Sequence, residues 1–128
     1  MKLKWTYLDI LLNRKSRSYM SQFRCGILPL RIETGRYGTN YIPDSERICI
    51  LCKSGEIEDE YHFVFDCKQY EIYRKELFSV MCNACPDFLN KNRNERMKEL
   101  MSKIGIKYFG NYICESFELR KSLLFVAT

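Results

Sequence analysis

Histidine occurs only once in this 128-residue chain, tryptophan once and proline three times. One imidazole excludes any centre built on a pair of histidines, and if it serves a metal no evident general base is left. There is also no nucleophile motif and no glycine-rich phosphate loop, so the chain is expected not to be an enzyme and to take no small-molecule substrate. No apolar run approaches the roughly 18 residues that cross a bilayer, and Met1-Lys2-Leu3-Lys4-Trp5 does not open a signal peptide. The expectation is a soluble intracellular protein, nuclear or cytoplasmic, with no membrane partner. Acidic side chains are the scarcer sign, 16 against 21 Lys and Arg, for a formal net charge of +5.

Cysteine, by contrast, is plentiful. Seven thiols, an odd number in a chain with no secretory signal, fit a reducing compartment and a metal site better than a disulfide framework. Cys49-Ile50-Leu51-Cys52 is followed after nine residues by His62-Phe63-Val64-Phe65-Asp66-Cys67, a C-x2-C…H-x4-C set that closes around one structural zinc ion. Three thiolates and one imidazole fill a tetrahedron and leave no open position for catalysis. Lys53-Ser54-Gly55 suits a tight turn that aims backbone N–H groups at the sulfurs. A rival set exists, because Cys82-Asn83-Ala84-Cys85 is a second C-x2-C that could join Cys49 and Cys52 in a four-cysteine site. Its gap is longer than the usual ribbon spacing, and it would leave His62 and Cys67 unexplained. A redox role for Cys82 and Cys85 is disfavoured, since no strand–helix pattern precedes them. Cys25 and Cys114 read as ordinary free cysteines.

The second half of the motif poses a geometric problem. Glu58-Asp59-Glu60 reads as a helix start with Asp59 as N-cap, which places His62 in the first turn. Residues five apart on a straight helix point about 140° away from each other, so Cys67 must sit where the helix ends or loosens. Glu58 or Asp59 is the expected acceptor for the other imidazole N–H.

Elsewhere the pattern is helical, and the expected fold is a small, mainly α domain stabilised by one zinc knuckle. Apolar spacing predicts helices over 3–12, from a Ser18 cap to about Gly26, and over 69–82, 94–103 and 107–125, with Asn13-Arg14-Lys15-Ser16-Arg17 as a polar interruption. Between Leu28 and Asp44 the prolines and glycines predict loop, with one short turn of helix around Arg31–Thr34. A single domain over 1–128 is expected: a basic helical and loop segment (1–48), the zinc module (49–67) and a helical segment (68–128). The charge is concentrated at the front, where residues 1–48 carry nine Lys and Arg against four acids. Arg14, Lys15, Arg17, Arg24, Arg31 and Arg36 are therefore candidate contacts for an RNA or DNA backbone with little sequence preference, and Tyr37 or Tyr41 could stack on an unpaired base. The same residues also suit a solvated face, so a protein-interaction or scaffold domain is the competing expectation.

The run from Phe23 to Tyr37 (Phe23-Arg24-Cys25-Gly26-Ile27-Leu28-Pro29-Leu30-Arg31 and onward), then Arg47-Ile48-Cys49-Ile50-Leu51-Cys52, then Glu58 to Cys67, resembles the zinc-binding region downstream of the polymerase in non-LTR retrotransposon reverse transcriptases. The likeness covers about residues 17–80 and rests on the order and distances of the three segments. It implies Cys49, Cys52, His62 and Cys67 as ligands and a role in holding RNA or target DNA. The Tyr-x-Asp-Asp polymerase signature is missing, so the resemblance implies a detached C-terminal fragment without the parent activity.

Overall fold

A computed structural model describes residues 14–35 and 41–127. The expected helix over 3–12, together with Arg36 and Tyr37, lies outside the described residues. The remainder is mainly helical, and no strand forms among the described residues. The helices are α1 (Arg14–Arg24), α2 (Arg31–Thr34), α3 (Glu71–Ala84), α4 (Arg93–Leu100) and α5 (Ile106–Ala127), with short 3-10 turns between them.

Helix α1 corrects one expectation. It is already under way at Arg14, so Ser18 is an interior residue and not its cap. The reason is packing: Ser16, Tyr19, Met20 and Phe23 recur at three-to-four spacing and bury one face, which carries the polar stretch into the helix. Its end matches expectation. Gly26 takes φ +70, Ile27 N–H donates to the Gln22 carbonyl (2.9 Å) and Gly26 N–H to the Phe23 carbonyl (3.1 Å), the paired closure that a left-handed glycine permits.

Helix α5 is the spine. Ile106, Phe109, Tyr112, Ile113, Phe117 and Arg120 face inward along it, and both α1 and α3 pack against it. Tyr108 is 40 % exposed, because it lies off this stripe. Phe88 is fully buried in a 3-10 turn, ring to ring with Phe78 at 5.3 Å. Asn92 caps α4 by a reciprocal bond pair with Glu95, so the helix starts at Arg93, one residue before the predicted range.

The segment carrying the expected ligands lies inside this core. Phe63 is fully buried and its ring meets those of Tyr70 (5.0 Å), Tyr112 (5.9 Å) and Phe117 (6.5 Å). A second attachment is ionic. Glu58, fully buried, accepts two hydrogen bonds from Arg120 of α5 (2.8 and 2.7 Å) and one from the Arg31 backbone N–H (2.8 Å). One carboxylate thus ties the knuckle, α2 and the spine together.

The turn into α5 is sterically closed. A Cβ at Gly105 would sit 2.5 Å from the Glu99 carbonyl oxygen and 3.0 Å from that of Leu100. Gly105→Ala should therefore destabilise the chain by about 1–3 kcal/mol, the usual range for overpacking, read as a lower urea midpoint with unchanged slope. A midpoint equal to wild type would contradict the close approach.

Candidate metal centre

Two local devices present the sulfurs. Cys49 and Cys52 lie on a small knuckle whose legs are pinned by the antiparallel bridge Ile48–Ile57, with Cys49 N–H donating to the Glu56 carbonyl (2.8 Å) and Glu58 N–H to the Arg47 carbonyl (2.9 Å). The chain turns back through Lys53 (φ 56) and Gly55 (φ 79). Backbone N–H groups of Leu51 and Cys52 face Cys49 Sγ, and that of Gln69 faces Cys67 Sγ. The turn therefore aims amides at sulfur as expected, although the donors are the residues within and beyond the motif.

The second device resolves the five-residue spacing. Asp59 caps the helix start, its Oδ1 accepting from His62 N–H at 2.8 Å. From His62 to Asp66 the chain then widens into a π-type turn, closed by Cys67 N–H on the His62 carbonyl at 2.8 Å. An i→i+5 closure brings residue 67 round to the level of residue 62, which an ordinary helix would not do. Cys67 itself leaves the helix at φ −67, ψ 124. The carbonyls that such an ending frees are satisfied from outside: Tyr112 Oη donates to Phe63 O (2.6 Å), and Arg74 donates to Val64 O (2.9 Å) and Cys67 O (2.6 Å). Arg74 is a supporting residue that carries no local signal in the sequence.

The four expected ligands meet. One donor atom from each of Cys49, Cys52, His62 and Cys67 lies within 4.8 Å of the others; Cys49, His62 and Cys67 are buried and Cys52 is half-buried. Cys49 Sγ and Cys67 Sγ are 3.9 Å apart, nearly twice a disulfide bond, and Cys52 Sγ is 3.3 Å from His62 Nε2. Ser54 Oγ lies 3.1 Å from Cys52 Sγ. The Cys67 thiol beside it pulls Cys49 well below the usual thiol range, and contact with Cys49 in turn drives Cys67 far above it and His62 up to about 9. Sulfurs this close ionise together only around a cation. The donor set and its burial fit a bound metal ion.

The rival set is not assembled. Cys82 and Cys85 take no part in the cluster, and Cys85 Sγ sits 3.0 Å from Asp87 Oδ1. Cys25 is exposed and Cys114 half-buried, both outside the cluster. The expected acceptor for the second imidazole nitrogen is also corrected: Glu58 is committed to Arg120 and Arg31, Asp59 to the His62 backbone, and Nδ1 of His62 is buried without a partner.

The basic candidates are divided. Arg14, Arg17 and Arg24 fall on one face of α1, away from its buried stripe, with Arg14 and Arg24 exposed and Arg17 half-buried. Lys15 turns to another side and pairs with Glu118 of α5 at 3.2 Å. Arg31 is half-buried at the start of α2, its Nε enclosed. Arg47, part of the front-loaded charge, is drawn inside, donating to the carbonyls of Ile42 (2.7 Å) and Ile32 (3.1 Å). Tyr41 is 61 % exposed, with the Arg47 guanidinium 5.3 Å from its ring centre. No helix among the described residues is long and apolar enough to cross a membrane. Comparison with protein-family models, curated proteins and solved structures finds no match to the chain.

Proposed function

We propose that this chain is a zinc-stabilised, non-catalytic nucleic-acid-binding module of the kind it resembles downstream of the polymerase in non-LTR retrotransposon reverse transcriptases. The observation that carries the zinc part is the spacing of the donors. A tetrahedron with Zn–S near 2.3 Å and Zn–N near 2.0–2.1 Å has edges of about 3.8 Å between sulfurs and about 3.6 Å between sulfur and nitrogen. The separations of 3.9 Å (Cys49–Cys67) and 3.3 Å (Cys52–His62) are close to those lengths. Zinc held by Cys49, Cys52, His62 and Cys67 has no open position, so its contribution is to fix the knuckle against the π-type turn. The sole histidine is then consumed by structure, which supports a non-catalytic role.

The nucleic-acid part is supported by Arg14, Arg17 and Arg24 sharing one face of α1. Removing all three, Arg14→Ala with Arg17→Ala and Arg24→Ala, should weaken binding of RNA or DNA to the zinc-loaded protein. It should also flatten the salt dependence by up to about 0.7–0.9 in slope for each phosphate that the variant no longer neutralises. The measurement is a binding titration at several salt concentrations. Unchanged affinity and slope in the triple variant, or no binding by wild type at low salt, would favour the second reading, a zinc-stabilised scaffold or protein-interaction domain. That reading draws on the surface pairing of Lys15 with Glu118 and on the turning of Arg31 and Arg47 toward the interior. It also draws on exposed Ile48 and Ile50 beside the knuckle sulfurs.

A further inference from the structure

His62 is 2 % exposed, its Nε2 is turned to the sulfurs, and its Nδ1 is buried without a hydrogen-bond partner. An imidazole that binds a metal through Nε2 in its neutral form carries its proton on Nδ1. A buried N–H donor therefore needs an acceptor. Neither acid nearest in sequence is placed to accept it: Glu58 gives both oxygens to Arg120 and the Arg31 N–H, and Asp59, whose Oδ1 takes the His62 backbone N–H, is not among the carboxylates grouped with the ring.

Two other carboxylates reach the ring. Oxygen atoms of Glu56 and Asp66 and a ring nitrogen of His62 lie within 4.8 Å of one another, around a cleft of about 420 Å³ that Asp59 and Arg93 also line. That distance is bridged by a small side-chain rotation or by one water. The two acids differ in how firmly they are held. Glu56 is exposed on the knuckle, whereas the Asp66 side chain is 19 % exposed and fixed by Arg93, whose guanidinium lies 5.9 Å from the centre of the Phe65 ring. Arg93 engages Oδ1 of Asp66, which leaves Oδ2 to accept.

We infer that Asp66, assisted by Glu56, accepts the Nδ1–H of His62, directly or through one water, and so positions the imidazole for the metal. The inference rests on the zinc reading above. Although these three residues have the types of a ligand set, they do not form a second metal site, because the imidazole that already gives Nε2 would have to lose its remaining proton. Asp66 instead acts through His62: an anionic acceptor fixes the tautomer and ring orientation and raises the basicity of Nε2. Its place at the end of the π-type turn, immediately before Cys67, lets one turn supply two ligands and the group that orients one of them.

The test is competition for zinc against a chromophoric chelator, using wild type, Asp66→Ala with Glu56→Ala, and Asp66→Asn alone. The double variant should bind zinc 10- to 100-fold more weakly, and Asp66→Asn, which keeps an acceptor oxygen but loses the charge, should fall between it and wild type. Nitrogen-15 spectra of the imidazole report the tautomer directly. The Nδ1 proton should be protected from exchange in zinc-loaded wild type and exchange rapidly in the double variant with zinc still bound, where loss of the site is not the cause. Equal affinity with an equally protected Nδ1 proton would overturn the assignment while leaving the zinc site intact. A wild-type protein that takes up no zinc would overturn the site and this inference together.

Discussion

Removing the metal with a chelator should abolish the cooperative thermal transition and the near-ultraviolet circular dichroism of the protein, while part of the far-ultraviolet helical signal survives. Structural zinc in finger-type sites contributes roughly 10–16 kcal/mol in apparent binding energy at neutral pH, against a total stability of about 5–15 kcal/mol for an ordinary domain. The effect reaches beyond the knuckle because the π-type turn that carries His62 also carries Phe63, whose ring meets those of Tyr70, Tyr112 and Phe117. Loss of the ligand bonds frees that turn, and the aromatic cluster loses its centre. Helices α1, α3 and α5 carry none of the four donors, so part of their helical structure persists without fixed packing. Cys52→Ser or His62→Ala should reproduce the chelated state. An unchanged melt after confirmed removal of the metal would contradict this link between site and core.

Breaking the buried pair should also remove a large share of the fold's margin. Arg120→Met removes both side-chain donors from Glu58, a carboxylate with no solvent exposure, and leaves it the Arg31 backbone N–H alone. Stripping a buried charge of its partner destabilises by about 3–5 kcal/mol, a shift in urea midpoint of about 1–3 M at ordinary slopes. Replacing both partners, Glu58→Leu with Arg120→Met, should recover much of the loss, since no uncompensated charge remains; recovery stays incomplete because the Arg31 N–H then loses its acceptor. Equilibrium unfolding in urea measures both. A midpoint for Arg120→Met within about 0.3 M of wild type would mean that the ion pair does not anchor the knuckle to α5.

The cluster of Cys49, Cys52, His62 and Cys67 was legible because its logic is local. Two cysteines three positions apart, and a histidine and cysteine five apart, state their own geometry, and the conflict between that second spacing and a regular helix already required the loosened turn seen at His62–Asp66. The long helices were legible for the same reason, through apolar spacing. What could not be read depends on partners far away in the chain. Glu58 and Arg120 are 62 positions apart, Tyr112 reaches Phe63 across 49, and nothing around Arg74 indicates that it closes carbonyls at Val64 and Cys67. The start of α1 was misread because a run of Arg, Lys and Ser looks like a break, although Ser16 on its buried face makes it part of the helix. The partners of the basic side chains were hidden for a related reason. Charge in a sequence does not show which cations turn inward, as Arg47 does, or are taken by an acid on another helix, as Lys15 is.

Zinc-edge X-ray absorption on the purified chain, combined with metal stoichiometry, tests the central claim most directly. The account predicts one zinc per chain in a shell of three sulfurs near 2.3 Å and one nitrogen near 2.0–2.1 Å, unchanged in Cys82→Ser with Cys85→Ser. A chain that carries no zinc, or a four-sulfur shell lost in that double variant, would contradict it.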